Sequence, residues 1–261
     1  ATPRRTEIAA AIDGIEDEDL IEREEMVVTV THGGYIKRTP LATFRAQARG
    51  GKGRAGMATK DEDAVVEMFV TSTHTPVLFF STAGKVYRMK VWKLPEGGPT
   101  TRGRPMINLL PLAAGETIST VLPLPEDESE WGALHVMFAT AKGTVRRNAM
   151  DAFTNVPSNG KIAMRFDEDS DDRLIGVALL TEEDDVLLAT RKGKAIRFAG
   201  DDVREFQSRT STGVRGITLK DDDEVMSLSI LHRVGTTQEE REDYLRFAPW
   251  KAEKEGDPEM V

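Results

Sequence analysis

The sequence predicts an all-β, propeller-like fold built of four-stranded blades, with four blades visible in its 261 residues. Three features predict it: a four-fold internal repeat, apolar β-prone runs on both sides of glycine turns, and a second glycine at a similar offset in every repeat. The segment Val28–Arg38 superimposes on Leu78–Arg88, Met137–Arg147 and Leu187–Arg197. All four end in Gly, any residue, Ile/Val/Ala, any residue, Arg, at Gly34 to Arg38, Gly84 to Arg88, Gly143 to Arg147 and Gly193 to Arg197. The intervals between those glycines are 50, 59 and 50 residues, close to the roughly 40–50 residues of a four-stranded propeller blade.

Each repeat opens with an apolar run, a glycine-centred turn and a second run, which is the pattern of a hairpin. The second glycine follows 17–20 residues later, at Gly53, Gly103, Gly160 and Gly213, with a basic residue beside nearly every one. An acidic or polar turn comes next: Asp61-Glu62-Asp63, Gly115-Glu116, Asp169 to Asp172, or Asp221-Asp222-Asp223. An apolar strand closes the repeat, as in Val65–Val70 and Leu174–Leu180. One such blade cannot bury both faces, so neighbours must stack. The expected blades are about 26–73, 75–125, 131–183 and 185–233, between an acidic linker over 1–25 and a charged tail or insertion over 234–261.

The net charge of −9 is unevenly spread. Residues 1–25 hold 9 acids against 3 bases and residues 238–261 hold 8 against 4, so the body between Met26 and Thr237 carries 28 bases and 27 acids. A nearly neutral body can still present a basic stripe. The ends read as solvated connectors, partly helical, with a DNA-mimicking cover as the sharper alternative. No apolar run approaches the roughly 18–20 residues of a membrane-spanning helix, and the start, Ala1-Thr2-Pro3-Arg4-Arg5, lacks the apolar stretch of a signal peptide. The expectation is a chain with no membrane role, cytoplasmic in keeping with its zero Cys, and cut from a longer protein because it does not begin with Met.

Catalysis has little support in the residue patterns. His32, His74, His135 and His232 are scattered without metal-ligand spacing, so no metal is expected, and no GxxxxGK[ST] loop is present. Gly51 to Gly56 satisfies GxGxxG but follows no buried strand and opens no helix. Asp167, Asp169 and Asp171 imitate a calcium loop, yet Asp172 stands where Gly is needed and Ala178 where Glu is needed, so a blade turn is the better reading.

The chemistry lies in the basic turns. Gln47-Ala48-Arg49-Gly50-Gly51-Lys52-Gly53-Arg54 combines glycines, which allow close backbone approach, with three bases suited to phosphate. Comparable bases occur at or beside the matching turns, at Arg102 and Arg104, Lys161 and Arg165, and Arg209 and Arg215. The hairpins add Lys37, Lys85, Lys142, Arg146, Lys192 and Lys194. Stacked blades are expected to align these charges along a rim. For Arg38, Arg88, Arg147 and Arg197, which share a strand face with Ile36, Val86, Val145 and Ala195, pairing between blades is an equal alternative to a DNA contact. Phe44, Trp92, Phe153 and Phe206 read as blade core.

The segment from Gln47 to Gly53 resembles the box of the bacterial DNA gyrase A family, Gln-Arg-Arg-Gly-Gly-Lys-Gly, and Asp19–Val30 with Gly34–Arg38 is similar to that family's first blade. The likeness covers nearly all of residues 1–233. It implies a C-terminal β-pinwheel, a disc whose blades exchange strands and around whose basic edge duplex DNA wraps with right-handed chirality. Gln47, Arg49, Gly50, Gly51, Lys52 and Gly53 carry over; Ala48 stands where the family has Arg, so one phosphate contact is missing. Through the family, the expected partners are double-stranded DNA, the rest of the gyrase A polypeptide, and the gyrase B polypeptide in an A2B2 heterotetramer. That assembly uses ATP and Mg2+ to introduce negative supercoils; no cofactor is expected in this chain. The family usually has six blades, so further blades are expected beyond Val261. The C-terminal domain of a topoisomerase IV with a degraded box, or a propeller scaffold without a DNA role, are the alternatives.

Overall fold

The structure, a computed structural model, describes residues 17–44, 57, 63–167, 169–220 and 222–247. The first repeat supplies β1 (Glu25–Thr31), β2 (Tyr35–Pro40) and β3 (Val65–Ser72). The second supplies β4 (Pro76–Ser81), β5 (Lys85–Lys90), β6 (Arg104–Pro105) and β7 (Ile118–Pro123). From the third come β8 (His135–Thr140), β9 (Thr144–Ala149), β10 (Lys161–Ile162) and β11 (Leu174–Leu180). The fourth gives β12 (Asp184–Thr190), β13 (Ala195–Ala199), β14 (Val214–Arg215) and β15 (Val225–His232). Helix α1 (Gln238–Arg246) comes last, opened by a reciprocal cap between Thr237 and Glu240.

These strands form four antiparallel sheets, the blades of a β-propeller, in the orders β3-β1-β2-β6, β10-β5-β4-β7, β11-β8-β9-β14 and β13-β12-β15. The outermost strand of each of the first three blades comes from the following repeat. Among the described residues the fourth blade has three strands, and β13 is its outer edge.

Local chemistry explains why each hairpin turns where it does. Gly34, Gly84, Gly143 and Gly193 all have φ between +79° and +86°, a region that costs other residues about 1–2 kcal/mol. Three residues before each glycine stands a hydroxyl: Thr31, Ser81, Thr140 or Thr190. Each accepts from the backbone N–H four residues on, at 3.0–3.2 Å. The same residue's carbonyl accepts from the glycine N–H at 3.0–3.1 Å. At this level every pairing with the innermost strand slips by one residue, leaving Val66, Ser119, Ile175 and Met226 as the bulged positions. All four line a central opening of about 660 Å³.

The cores lie between blades. Met26, Val28, Val30 and Ile36 pack on Val77, Phe79 and Val121. Leu78, Phe80 and Val86 pack on Trp131, Val136, Phe138 and Phe153, with Phe80 edge-on to Phe138 at 5.6 Å. Met137, Ala139 and Val145 pack on Leu180, Val186 and Leu188. β4 and β8 are therefore apolar on both faces, because successive residues serve opposite neighbours. Among the described residues no apolar cluster joins the fourth blade to the first, and Val66, Met68 and Val70 of β3 are exposed.

The second glycines have a packing role. Gly103 has φ +81°, and a Cβ there would lie 2.5 Å from the Ile36 carbonyl oxygen. Gly160 (φ +82°) abuts the Tyr87 ring, and Gly213 (φ +103°) abuts the Val145 carbonyl. Gly34 has the same backbone strain, but a Cβ would meet nothing within 4 Å. Gly34→Ala is therefore expected to cost about 1–2 kcal/mol, and Gly103→Ala a further 1–3 kcal/mol or so as the exchanged strand is pushed off its hairpin. Urea denaturation of both variants measures the difference, and equal losses would remove the packing explanation.

One carboxyl inside the ring is unusually placed. Glu67 on β3 lines the opening, and burial pushes its pKa up from 4.5 to about 7, against the lowering effect of the Val121 N–H. Between these values the folded chain binds the extra proton, so this group's contribution to stability falls as pH rises from about 4.5 to 7. Glu67→Gln is expected to raise the unfolding midpoint at pH 8 and leave it unchanged near pH 4. The gain is on the order of 1 kcal/mol after solvent screening, read by thermal melting at the two pH values.

Candidate nucleic-acid interface

The exchange of strands puts bases on the outside of the disc. The outermost strands β6, β10 and β14 carry Arg104, Lys161 and Arg215, and Lys194 immediately precedes β13. Arg104, Lys142, Arg165, Lys192, Lys194 and Arg215 are exposed, whereas Lys85, Arg102, Lys161 and Arg209 are half-buried. Gln47, Arg49, Gly50, Gly51, Lys52, Gly53 and Arg54 lie outside the described residues.

Two of the expected rim bases are internal. Lys37 is 0% exposed, and its ammonium donates to the carbonyls of Gly98 (2.7 Å), Pro99 (3.1 Å) and Thr101 (2.9 Å). Those bonds use all three of its protons. Arg146 is also 0% exposed: its guanidinium donates to the carbonyls of Arg209 (2.7 Å), Ser211 (2.6 Å) and Ala163 and to Asn148 Oδ1 (2.7 Å), and lies over the Phe138 ring. Burial lowers the pKa of both groups, that of Arg146 to about 10 with Arg209 adding to the shift. Neither can reach a phosphate on the surface. Both side chains sit on the blade face that the next repeat's glycine loop covers.

The remaining bases differ in how they are held. Lys161 donates to the carbonyls of Ala152 (3.1 Å) and Asn155 (3.0 Å), with its pKa lowered by burial and by Arg209. Arg209 donates to the Ile162 carbonyl at 3.0 Å. Arg102 stacks on Tyr35 at 4.5 Å, leaving Nε and one Nη without a hydrogen-bond partner. Lys142 pairs with Asp171 at 2.8 Å, which raises its pKa, and Lys194 donates to the Thr218 carbonyl.

Three of the four repeated strand arginines pair across or within blades, whereas the fourth, Arg147, keeps its buried Nε without a hydrogen-bond partner among the described residues. Arg38 bonds Glu96 (2.9 Å) and the Leu94 carbonyl, and Arg88 bonds Glu128 (2.7 Å) and the Thr154 carbonyl, each reaching into the following repeat. Arg197 shares Asp185 with Arg233, both at 2.8 Å. Phe153 and Phe206 are buried, as expected of blade core, and Trp92 and Phe44 are half-buried. Sequence reasoning missed Trp131, a fully buried anchor over which Arg88 lies. It also missed the function of the acidic turns. Asp63, Asp172 and Asp223 accept from the hairpin-tip N–H groups of Gly33, Lys142 and Lys192 at 2.7–3.0 Å. A carboxylate about 30 residues after three of the four tips is the signal that points to this cap.

A family model described as "DNA gyrase C-terminal domain, beta-propeller" matches four times, over residues 25–72, 75–125, 134–181 and 184–232. The chain belongs to the DNA gyrase C-terminal domain family. It is 54% identical over 245 residues to the DNA gyrase A polypeptide of Rickettsia bellii and 46% identical over 227 residues to that of Salmonella typhimurium, covering 94% and 87% of this chain. It spans 27% and 25% of the length of those relatives. Among solved structures, the C-terminal domain of a DNA topoisomerase IV superimposes with a TM-score of 0.66 at 25% identity, covering 81% of this chain and 62% of that one. A DNA gyrase A C-terminal domain superimposes with a TM-score of 0.59 at 24% identity, covering 78% and 64%, a likeness of fold. The described residues contain no group of three or more His, Cys, Asp or Glu placed to hold a metal ion, and no helix long and apolar enough to cross a membrane.

Proposed function

We propose that this chain binds duplex DNA along the outer edge of its blades and wraps it with right-handed chirality. In that role it serves as the wrapping domain of a bacterial gyrase A polypeptide. The observation that carries the reading is the position of Arg104, Lys161 and Arg215 on strands that the topology makes outermost, in a chain of this family. Bending a short duplex by 40–90° costs on the order of 1–6 kcal/mol, so a wrap needs a track of contacts spread over several blades. Arg49, Lys52 and Arg54 of the box, with Arg104, Arg165, Lys192, Lys194 and Arg215, are the proposed phosphate contacts, and the half-buried Lys85, Arg102, Lys161 and Arg209, with the ion-paired Lys142, flank them. Contacts of this kind read the backbone without strong sequence preference.

Within the holoenzyme, an A2B2 assembly in the bacterial cytoplasm, the wrap presents one DNA segment to another with fixed handedness. ATP-dependent strand passage, with Mg2+, then introduces negative supercoils. The chain's part is the direction of passage; the box glycines Gly50, Gly51 and Gly53, beside Gln47, let the backbone approach the duplex. The likeness to a topoisomerase IV C-terminal domain supports a second reading, in which DNA is bound without a signed wrap.

Ligation of relaxed nicked circles in the presence of the chain separates the two readings. Trapped positive writhe is expected, whereas unsigned or absent writhe with DNA binding retained selects the second reading. Reversing Lys52 and Arg54 to Glu is expected to weaken binding on every duplex alike, and to lower the slope of log K against log salt by about 2. An unchanged affinity at low salt removes the box from the interface.

A further inference from the structure

We propose that Lys37 and Arg146 are positioning residues for DNA binding: each is a buried cation that fixes the backbone of the next repeat's loop, and so presents that loop's surface arginines to the duplex. The inference rests on the wrapping reading above.

The two occupy the same place in the repeat, three residues after the hairpin glycine, where the other blades have Tyr87 and Ile196. Lys37 holds the carbonyls of residues 98, 99 and 101. The chain then runs directly into Arg102, Gly103 and Arg104, and Arg104 begins the exchanged strand β6. Arg146 holds the carbonyls of 209 and 211, after which come Gly213 and Arg215 of β14. It reaches the Ala163 carbonyl as well, two residues before Arg165.

Fold stability alone does not account for this chemistry. Among the described residues both cations are bonded by neutral acceptors and by no carboxylate, an arrangement that leaves much of the desolvation cost of a buried charge uncompensated. The second blade is built without it: Tyr87 fills the same site with a ring and one hydroxyl bond, to the Pro111 carbonyl at 3.3 Å. What a cation adds is several bonds converging from one atom cluster onto carbonyls of one short loop segment, 98 to 101 or 209 to 211, which fixes the direction in which the following residues leave. In the first and third blades those residues include the exposed arginines of β6 and β14.

The repeat supplies its own test variants. Lys37→Arg, the residue of the third blade, retains multiple donors; Lys37→Tyr, the residue of the second, retains bulk and removes the clamp. Binding of the full chain to a random-sequence duplex is measured across a salt series, at a temperature where melting shows each variant folded. Lys37→Arg is expected to bind as the unaltered chain does. Lys37→Tyr is expected to lose several-fold in affinity and to lower the salt slope by about 1, as the surface arginine Arg104 leaves register. In a chain already carrying Arg102→Ala and Arg104→Ala, Lys37→Tyr is expected to change neither quantity further. Equal losses in both backgrounds, or an unchanged slope, overturn the proposal. If Lys37→Tyr does not fold, Arg146→Tyr read against Arg215→Ala applies the same criterion in the third blade. Failure of the unaltered chain to show salt-dependent binding overturns the wrapping reading and this inference together, whereas binding with additive losses overturns the inference alone.

Discussion

Everything in this molecule depends on where the fourth strand of a blade comes from. The carbonyl of the hairpin glycine accepts from the next repeat: Gly34 from the Met106 N–H, Gly84 from those of Ala163 and Met164, and Gly143 from that of Gly216, at 2.8–2.9 Å. A repeat therefore cannot complete its own sheet. It gives an edge to the preceding blade and takes one from the following, so stability is shared between neighbours, as in other stacked-repeat proteins. The same exchange forces the connecting chain across the outside of a hairpin, so the residues beside the crossing glycine become the outer surface of the disc.

Charge is organised around this exchange. A net charge of −9 sits uneasily with a polyanionic ligand until the acids are located. Asp63, Asp172 and Asp223 are occupied in capping hairpin tips, Glu96 and Glu128 bind strand arginines, and Asp185 is shared by Arg197 and Arg233. These acids are engaged inside and between blades, while Arg104 and Arg215 on the outermost strands stay exposed to what lies outside. Exposed pairs of this kind contribute little stability singly; their value is in setting one blade's orientation on the next.

How much of this could be read from the residues depended on whether a constraint leaves a mark on residue type. Positive φ does, so Gly34, Gly84, Gly143 and Gly193 gave away the repeat and the blades. Bulges do not: Val66, Ile175 and Met226 are apolar like their strand neighbours and Ser119 is polar, and their four-fold equivalence emerges only in the pairing. The burial of Lys37 and Arg146 was hidden for a different reason. Strand alternation tells which face a side chain occupies, but whether that face is covered is decided by a loop about 60 residues further on. The glycines beside the bases were legible as positions of close approach. For Gly103, Gly160 and Gly213 the surface approached is the preceding hairpin.

The second blade shows the consequence of lacking the internal cation. Tyr87 donates to Pro111 of its own repeat, whereas Lys37 holds three carbonyls of the next, and the loop following the second blade is secured from its own side, by the Lys161 ammonium on the carbonyls of Ala152 and Asn155. A base on the outermost strand is thereby committed to structure, and the exposed charge of that sector shifts to Arg165, three residues past β10. In the first and third blades the clamp comes from inside and the outer-strand arginines, Arg104 and Arg215, remain exposed. The repeat thus solves one problem, holding an exchanged strand by its carbonyls, with a cation drawn either from the hairpin or from the strand itself. Which source is used decides where along the edge positive charge is presented to a ligand.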